Sequence, residues 1–329
     1  MIKRIGAIFM IAILIICVPL TLMTGCSNRE TVIIYTSMEG YRIEHLNTML
    51  REEFPEYDII IEYNPTGNHA AKLLAEGTST ECHITHNLEY GYLEQLDQNG
   101  VLADLSDYDK SMFMDDTIVS ENIIPQERNG GCIILNTRVL EDKGLSEPTC
   151  YDDLLKPEYK GLISMPSPKA SGTGYMFLKS LVNSRGEDEA FEYFDKLSEN
   201  ILQFTSSGSG PLNAILQGEV AIGLGMTAPT VSQINEGQPI KIVYFEEGSP
   251  FSLYGQSIIK GNEDNATVQA VFEFLVNTFN DENCKNYFPE KLYKDKDYSV
   301  TNYPSDIQYS DMSKNTSEEK SRLLGKWKY

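Results

Sequence analysis

Short apolar runs that alternate with helical patterns constrain the fold of this chain more than any other feature. Short, mostly apolar runs occupy 31–35, 58–63, 162–165, 201–204 and 220–224, and residues with helical spacing follow each of them. Such runs predict buried strands, and their alternation with helices predicts βαβ units in a mostly parallel sheet. Right-handed crossovers would then gather the strand-to-helix loops at the carboxyl edge of the sheet, where open α/β folds bind ligands.

A chain of 329 residues is long for a single core, so we expect one large or two medium domains. The candidate breaks are Gly130-Gly131 and Ser249-Pro250, and each precedes a predicted strand, at 132–135 and 251–259. Two strands that cross between two lobes are the expected consequence. Residues 104–128 are polar, which predicts irregular structure there.

Residues 1–26 have the pattern of an export signal, since Lys3 and Arg4 precede an apolar run over 5–23. The run ends in LMTGC, and small residues before a cysteine resemble the lipobox of bacterial lipoproteins. This resemblance implies a signal peptide over 1–25, cleavage before Cys26 and a lipid on the Cys26 sulfur. An uncleaved membrane anchor is the alternative, because the run could nearly span a bilayer. Both interpretations place the rest of the chain outside the cytoplasm, tethered to a membrane.

The charge balance excludes several classes of partner. Loss of Lys3 and Arg4 with the signal would reduce 27 cations to 25, against 48 anions. So acidic a surface repels DNA, RNA and anionic lipid, so no nucleic-acid partner is expected.

Four cysteines remain after the signal and the lipid site, namely Cys82, Cys132, Cys150 and Cys284. Outside the cytoplasm they could form disulfides in three pairings, and the sequence does not choose among these. Free or buried thiols are an equally good interpretation.

Three loops place serine, threonine and glycine at predicted strand-to-helix switches, over 35–39, 167–175 and 205–211. Free amides at a helix start, with hydroxyls beside them, form a ready anion site. Each hydrogen bond to a charged group contributes roughly 1.5–3 kcal/mol. Most such loops are ordinary caps and turns. Three of them in one chain predict a site for a phosphoryl or carboxylate group that needs no metal and no cofactor.

Other interpretations of these glycines fail on spacing. Phe177 stands where a dinucleotide-binding fingerprint needs its third glycine, and no Lys-Ser/Thr pair completes a phosphate-binding Walker loop. Gly208-Ser209-Gly210 lacks the spacing of a nucleophile elbow, and no histidine follows His86 to act as its base. We therefore expect a protein that is not an enzyme.

A histidine pair, His83 and His86, has the spacing of one helical turn and invites a metal interpretation. The residues around it are typical of a strand end, so polar residues at a loop edge are the preferred interpretation. Tyr90 and Tyr92 are expected to pack rather than to bind iron.

Two acidic residues, Glu39 and Glu89, follow predicted strands. Either could contact an amine on a ligand. Either could equally be a helix N-terminal acid that the helix dipole favours, and the sequence leaves both possibilities open.

Several segments together resemble the extracellular solute-binding proteins of ABC importers, in the subgroup described with ferric iron, thiamine, polyamine and 2-aminoethylphosphonate binders. These segments are TSMEG, LEYGYLEQL, ILNTRVL, YDDLLKPEYKGLISMPSP and SGTGYMFL, and the resemblance spans nearly all of 31–329. It implies an α/β, two-lobed periplasmic-binding-protein-like fold of type II, in which two crossing strands join two mixed sheets. The first lobe would comprise 26–129 plus 250–329, the second 130–249, with a cleft between them that closes on solute.

The resemblance also bears on the ligand. Ferric binders of the subgroup carry adjacent tyrosines after the strand that matches 220–224, whereas this chain has Gly-Met-Thr-Ala-Pro at 225–229. The segment SGTG is instead similar to loops that hold phosphoryl groups in organophosphate and phosphonate members, and helix starts with Lys169 would supply the positive field. The residues predicted to line the cleft are Thr36, Ser37, Glu39, Glu89, Ser171, Gly172, Thr173, Gly174, Ser206, Ser207 and Thr227.

The resulting prediction is a monomeric, lipid-anchored binding protein that captures a small anionic solute, preferably a phosphonate or organophosphate. It would deliver this solute to a membrane permease and its ATPase. A ferric-iron protein that uses Tyr90, Tyr92, His83 or His86, or a thiamine-type binder, is the alternative within the family. An extracellular phosphatase is less favoured, because no nucleophile–base pair is recognisable in the sequence.

Overall fold

The computed structural model describes residues 29–329, so the predicted signal peptide and the predicted lipid site Cys26 lie outside the described residues. Strands and helices alternate along this range, as the sequence predicts. The strands are β1 Thr31–Thr36, β2 Asp58–Tyr63, β3 Ile84–Glu89, β4 Ile124–Asn136, β5 Ile163–Pro166, β6 Ile201–Thr205, β7 Ile222–Met226, β8 Ile240–Val243 and β9 Phe251–Ile258. The helices are α1 Gly40–Glu53, α2 Thr66–Glu76, α3 Tyr90–Gln98, α4 Thr137–Asp142, α5 Gly172–Arg185, α6 Glu187–Leu197, α7 Gly210–Leu216, α8 Thr227–Asn235, α9 Ala266–Phe274, α10 Asn280–Asn286 and α11 Ser317–Lys326.

The strands form two mixed sheets. In the first sheet the order is β2-β1-β3-β9-β4, with β1 parallel to β2 and β3, and β9 antiparallel to β3 and β4. In the second sheet β4 lies between β8 and β7, and β7, β5 and β6 follow as parallel neighbours. The first sheet and the helices packed on it are called the first half of the molecule, and the second sheet and its helices are called the second half.

Strand β4 belongs to both sheets. Its start pairs with β9 from Ile124 to Gly130, and its end pairs with β7 from Gly131 onwards. The second connection between the sheets is the segment that enters β9, where the Gly131 amide donates to the Pro250 carbonyl at 2.7 Å. Two crossing segments therefore join the halves, as the sequence predicts.

The prediction that Gly130-Gly131 precedes a strand, and that 104–128 is irregular throughout, is wrong at the start of β4. The strand begins at Ile124 and runs through both glycines. Its polar residue Glu127 is buried because the carboxylate accepts from Arg42 Nη1 at 3.3 Å and from Asn283 Nδ2 at 3.0 Å. These partners are distant in sequence, so the apolar pattern of a strand is missing here although the segment is buried.

Each half has its own core. In the second half, α6 buries Ala190, Tyr193, Phe194 and Leu197 at helical spacing, and these side chains pack against β5 and α5. Helix α5 is buried over most of its length, from Gly172 to Val182, because strands of both sheets flank it. The start of α5 is therefore held firmly between the two halves.

The C-terminal helix α11 packs on the second half. Leu323 and Trp327 join the core around Phe194, and the Phe194 and Trp327 rings lie 5.2 Å apart, edge to face. Residues 250–329 were predicted to belong to the first lobe, and the division of the chain into lobes stays a prediction. The helix itself contacts both halves, since Ser317 Oγ donates to Gln98 in α3 at 3.1 Å.

Within the described range, Cys82, Cys132, Cys150 and Cys284 are free thiols, and all but Cys150 are buried. Across the same residues, every helix is too short or too polar to cross a bilayer.

Candidate functional site

The carboxyl ends of strands from both sheets meet around one small cavity, of about 30 Å³. Ser37 follows β1 in the first half, while Ser171 and Thr173 follow β5 and Ser207 follows β6 in the second half. We call this space the inner cavity. Its wall consists of Ser37, Met38, Glu39, Tyr63, Thr66, Asn87, Asn129, Ser171, Thr173, Ser207, Gly208, Ser209, Met226 and Tyr254.

The two halves touch each other at the inner cavity. The Gly67 amide of α2 donates to the Ala170 carbonyl at 3.1 Å, and Asn129 Nδ2 contacts Met226 Sδ at 3.0 Å. A volume of about 30 Å³ is roughly the share of one molecule in liquid water. A larger solute can therefore enter only if the halves move apart, which is the hinge motion open to a molecule built from two joined halves.

Five of the eleven residues predicted to bind a ligand lie in this wall. They are Ser37, Glu39, Ser171, Thr173 and Ser207. The other six lie outside the wall, namely Thr36, Glu89, Gly172, Gly174, Ser206 and Thr227. The three predicted loops thus converge, although only some of their residues face the inner cavity.

The start of α5 brings unused hydrogen-bond donors to the inner cavity. Ser171 is the N-cap residue and makes no side-chain capping bond, and its carbonyl accepts from the Tyr175 amide at 3.0 Å. Among the described residues, the amides of Gly172, Thr173 and Gly174 have no acceptor. Free amides at the positive end of a 14-residue helix, beside two hydroxyls, favour a negatively charged group.

The two glycines of this loop are explained by close packing rather than by ligand contact. A Cβ atom on Gly172 would lie 2.5 Å from Tyr254 Oη, across the interface between the halves. A Cβ atom on Gly174 would lie 2.4 Å from the Pro166 carbonyl oxygen. Only glycine lets the helix start so near to both neighbours.

Three predicted hydroxyl groups have other surroundings. Thr36 Oγ1 is buried at 3.2 Å from His86 Nδ1, and Thr227 Oγ1 is buried at 3.1 Å from Tyr244 Oη. Ser206 is exposed on the outer side of its loop. All three lie next to wall residues in the sequence, which is why the loop pattern alone could not separate them.

The wall residue Ser37 is paired with the buried His69 behind it, although the sequence showed no nucleophile–base pair. Ser37 Oγ is 2.9 Å from His69 Nδ1, and His69 Nε2 is 3.1 Å from Thr85 Oγ1. Burial lowers the pKa of His69 to about 3, so the ring is neutral near pH 7. So weak a base is poorly suited to activate a serine, and the ring has no carboxylate partner among the described residues. When His69 carries its proton on Nδ1, the Ser37 hydroxyl is free to donate into the inner cavity.

Among the described residues, Glu39 is the only charged side chain of the wall. Its carboxylate accepts from Arg42 Nη1 at 2.9 Å, and Arg42 also pairs with Glu127. Burial alone would lower the pKa of Arg42, but Glu127 and Glu39 raise it above its usual value, so the guanidinium stays charged. Two carboxylates around one buried cation leave the first half with a net negative charge beside the inner cavity.

Glu89 was predicted to meet a ligand or to act as a helix N-terminal acid, and the structure places it at the start of α3. Its carboxylate pairs with Lys320 of α11, and both side chains are buried. The Lys320 ammonium also lies 3.7 Å from the Tyr92 ring centroid and 4.5 Å from that of Tyr175. Burial lowers the pKa of Lys320, while Glu89 opposes this shift.

Two asparagines of the wall, Asn87 and Asn129, were not predicted from the sequence. Asn87 has a φ of +52° at an irregularity of β3, and its backbone amide donates to Gln126 Oε1 at 2.9 Å. Asn87 Nδ2 and Asn129 Oδ1 are buried and have no partner among the described residues. Because buried polar atoms are nearly always paired, two unpaired amides in one wall indicate a place where a polar ligand binds. The left-handed φ of Asn87 is visible only in the backbone.

The residues proposed for iron lie away from the inner cavity. His83 Nδ1 accepts from the Ile33 amide at 3.0 Å, and His86 is paired with Thr36. Tyr90 Oη donates to the Thr117 carbonyl at 2.7 Å, and Tyr92 faces Lys320. Residues 29–329 contain no cluster of three or more His, Cys, Asp or Glu side chains that could hold a metal.

Comparison with known proteins agrees with this architecture. The family model described as bacterial extracellular solute-binding protein matches residues 84–315. An uncharacterized protein of Haemophilus influenzae is 29% identical over 260 residues, which cover 74% of this chain and 73% of that protein.

Two solved structures have the same fold. The periplasmic binding protein AfuA of Actinobacillus pleuropneumoniae, with exogenous fructose-6-phosphate bound, is 23% identical with a TM-score of 0.80, over 91% of this chain and 97% of its own. Iron-bound HitA of Pseudomonas aeruginosa is 15% identical with a TM-score of 0.73, over 90% and 98%. The predicted two-lobed α/β fold is thereby confirmed.

Proposed function

The chain belongs to the bacterial extracellular solute-binding proteins, and from that premise we propose that it captures a small anionic solute, a phosphonate or an organophosphate, between its two halves. A protein of this family binds a small solute outside the cytoplasm for an importer of the ABC type. The inner cavity is the proposed binding site. Closure of the halves on the solute would then form the surface that a membrane permease recognises.

The start of α5 is the observation that supports an anion. Ser171 and Thr173 line the inner cavity at this helix start, where three backbone amides have no acceptor among the described residues. Ser207 Oγ and Ser209 Oγ, 3.1 Å apart, belong to the same wall. Each hydrogen bond to an ionised oxygen is worth roughly 1.5–3 kcal/mol. Together these donors can offset the absence of a cation from the wall, which in the described residues holds Glu39 as its only charged group.

A calorimetric titration tests this proposal. The purified chain is titrated with inorganic phosphate, 2-aminoethylphosphonate, hexose 6-phosphates, thiamine phosphates and Fe(III). Binding of at least one phosphoryl compound is expected. Failure of every phosphoryl compound to bind would contradict the proposal.

The matched variants ask which residues bind the phosphoryl group. Ser171→Ala combined with Thr173→Val should weaken phosphoryl binding on the order of 100-fold, because two charge-assisted hydrogen bonds are lost. Ser206→Ala removes an exposed hydroxyl of the neighbouring loop and should leave the affinity unchanged. Equal affinities for the three proteins would show that the solute binds elsewhere.

Ferric iron is a second candidate, and one observation favours it. The wall contains two phenols, Tyr63 and Tyr254, together with the Glu39 carboxylate. Burial raises the pKa of both tyrosines, which opposes the phenolate forms that would bind iron. A visible charge-transfer band on addition of Fe(III), lost in Tyr254→Phe, would favour iron over a phosphoryl solute. A thiamine-type solute would bind without such a band.

The proposal also covers the membrane anchor, the oligomeric state and the lack of hydrolytic activity. We propose that the protein is anchored through a lipid on Cys26 and acts as a monomer. Because a histidine with a pKa of about 3 is a poor base, the Ser37–His69 pair is not expected to hydrolyse phosphate esters. Turnover of p-nitrophenyl phosphate that disappears in Ser37→Ala would contradict this.

A further inference from the structure

A second, larger pocket lies next to the inner cavity. It has a volume of about 390 Å³ and shares Glu39 and Ser209 with the inner wall. Residues of helices α1, α7 and α8 line it, together with Tyr287 after α10. We call it the outer pocket. Because Glu39 and Ser209 line both spaces, a solute that enters when the halves move apart would reach from one to the other.

The outer pocket has an apolar floor and an aromatic edge. Leu212, Leu216 and Pro229 supply the apolar surface. Tyr41 and Tyr287 pack edge to face with ring centroids 5.2 Å apart, and Tyr41 is 37% exposed. Surfaces of this kind favour the carbon-bound hydrogens of an organic group over a free inorganic anion.

The polar groups of the outer pocket differ from those of the inner cavity. Glu236 adds a second carboxylate to Glu39, which both spaces share, and the neutral polar groups found only here include Asn213 and Gln233. Carboxylates repel a phosphoryl group but accept hydrogen bonds from hydroxyls. The negative end of a solute is therefore expected at the start of α5, and a part that carries hydrogen-bond donors is expected here.

On the premise that a phosphoryl group binds in the inner cavity, we propose that the outer pocket holds the hydroxylated carbon body of the solute. The solute is then a phosphate ester of a sugar-sized polyol, rather than inorganic phosphate or a two-carbon phosphonate. The inner cavity, at about 30 Å³, is much the smaller of the two spaces. The outer pocket, at about 390 Å³, lies within the range of small-molecule sites, roughly 300–1,000 Å³.

The test compares solutes of growing size and one variant that fills the outer pocket. The purified chain is titrated with inorganic phosphate, 2-aminoethylphosphonate, glycerol 3-phosphate and a hexose 6-phosphate. The hexose phosphate should bind at least about 100-fold more tightly than inorganic phosphate, because its body buries surface in the outer pocket.

Leu216→Trp, at a position that is 36% exposed on α7, should weaken hexose phosphate about tenfold and leave the two small anions within about twofold. Leu202→Trp, at a 49% exposed position of β6 outside both spaces, is the matched control and should change neither affinity. Tyr287→Ala is a second variant, which tests the aromatic edge without adding bulk. Like Leu216→Trp, it should weaken the binding of hexose phosphate and leave the affinities for the two small anions nearly unchanged.

Two results would overturn this inference alone. One is equal affinity for all four phosphoryl compounds, and the other is a Leu216→Trp variant that weakens inorganic phosphate as much as the hexose phosphate. In either case phosphoryl binding at the start of α5 would still stand, as judged by the Ser171→Ala, Thr173→Val variant. If none of the four compounds binds, the inference and the proposed function fail together.

Discussion

Two turns of the first half have the same sequence signature and different roles in the structure. In each, a glutamate is the N-cap residue of the helix that follows a strand, Glu39 before α1 and Glu89 before α3. Glu39 pairs with Arg42 three residues along its own helix and still lines the inner cavity. Glu89 pairs with Lys320, 231 residues away, and is sealed from solvent.

The difference shows that the role of an acidic residue at a helix N-terminus depends on the cation with which it pairs. A partner on the same helix leaves one side of the carboxylate free to face the inner cavity. A partner from the C-terminal helix covers the carboxylate and makes it part of the contact between the halves. Three experiments would break or sharpen this comparison.

The largest effect is expected from Lys320→Met. The substitution leaves the buried Glu89 carboxylate without its cation, which typically costs about 3–5 kcal/mol of unfolding free energy. Urea denaturation measures this loss, and Lys320→Met combined with Glu89→Gln should recover much of it. Lys328→Met, which breaks an exposed pair with Asp195, is the control and should cost less than about 1 kcal/mol. If Lys320→Met lowered the unfolding free energy as little as the control does, the Glu89–Lys320 pair would not be a buried structural contact, and Glu89 would not differ from Glu39 in this respect.

The second effect concerns the pH dependence of stability. A neutral histidine, His69, supports Ser37 in the β1–α1 turn, whereas an ion pair holds Glu89 in the β3–α3 turn. Burial holds the pKa of His69 near 3, below the unfolded value of about 6.5. The unfolded chain therefore binds the extra proton, so stability is retained above pH 6.5 and falls as the pH decreases. From pH 7 to pH 5 this single group should cost about 2 kcal/mol.

His69→Gln keeps a hydrogen-bonding side chain and should remove that share of the pH dependence. Urea denaturation at pH 7 and pH 5 measures the difference. His86→Gln should flatten the profile in the same direction, because burial and the nearby Arg42 keep the pKa of His86 well below its usual value. Parallel profiles for wild type and His69→Gln would show that His69 is not buried as a neutral ring.

The smallest effect is expected from Glu39→Gln. Removal of a like charge beside the phosphoryl site should strengthen inorganic phosphate binding by roughly threefold to tenfold. Arg42 keeps Glu127 as a partner, so the change in stability should be small. Glu44→Gln, an exposed position of the same helix, is the control for a general change in net charge. Weaker binding of inorganic phosphate in Glu39→Gln would show that Glu39 does not face the anion.

Much of the fold was predictable because its signals are local. Short β-branched runs and helical spacing identified most of the strands and helices, and the family resemblance is confirmed. The start of β4 was missed because its buried polar residue Glu127 is satisfied by Arg42 and Asn283 from helices far away in sequence. A pattern of apolar residues cannot show a strand whose burial depends on such partners.

The candidate site was predictable only in part, for the same reason. Ser37, Ser171, Thr173 and Ser207 lie at strand ends, where loop chemistry is visible in the sequence. Tyr254 and Asn129 reach the wall from crossing strands. No loop pattern marks them, because their orientation depends on how the two sheets face each other.

By itself the sequence determined the alternation of strands and helices, the glycine and hydroxyl loops at the strand ends, and the membership of a family of solute-binding proteins. These depend on spacing and on residue type within a few positions. Only the tertiary structure decided which acid faces the inner cavity, that His69 supports Ser37, and that an outer pocket shares Glu39 and Ser209 with the inner cavity. Each of these results from contacts between residues far apart in the chain, and burial and charge pairing at such contacts follow from packing rather than from local sequence.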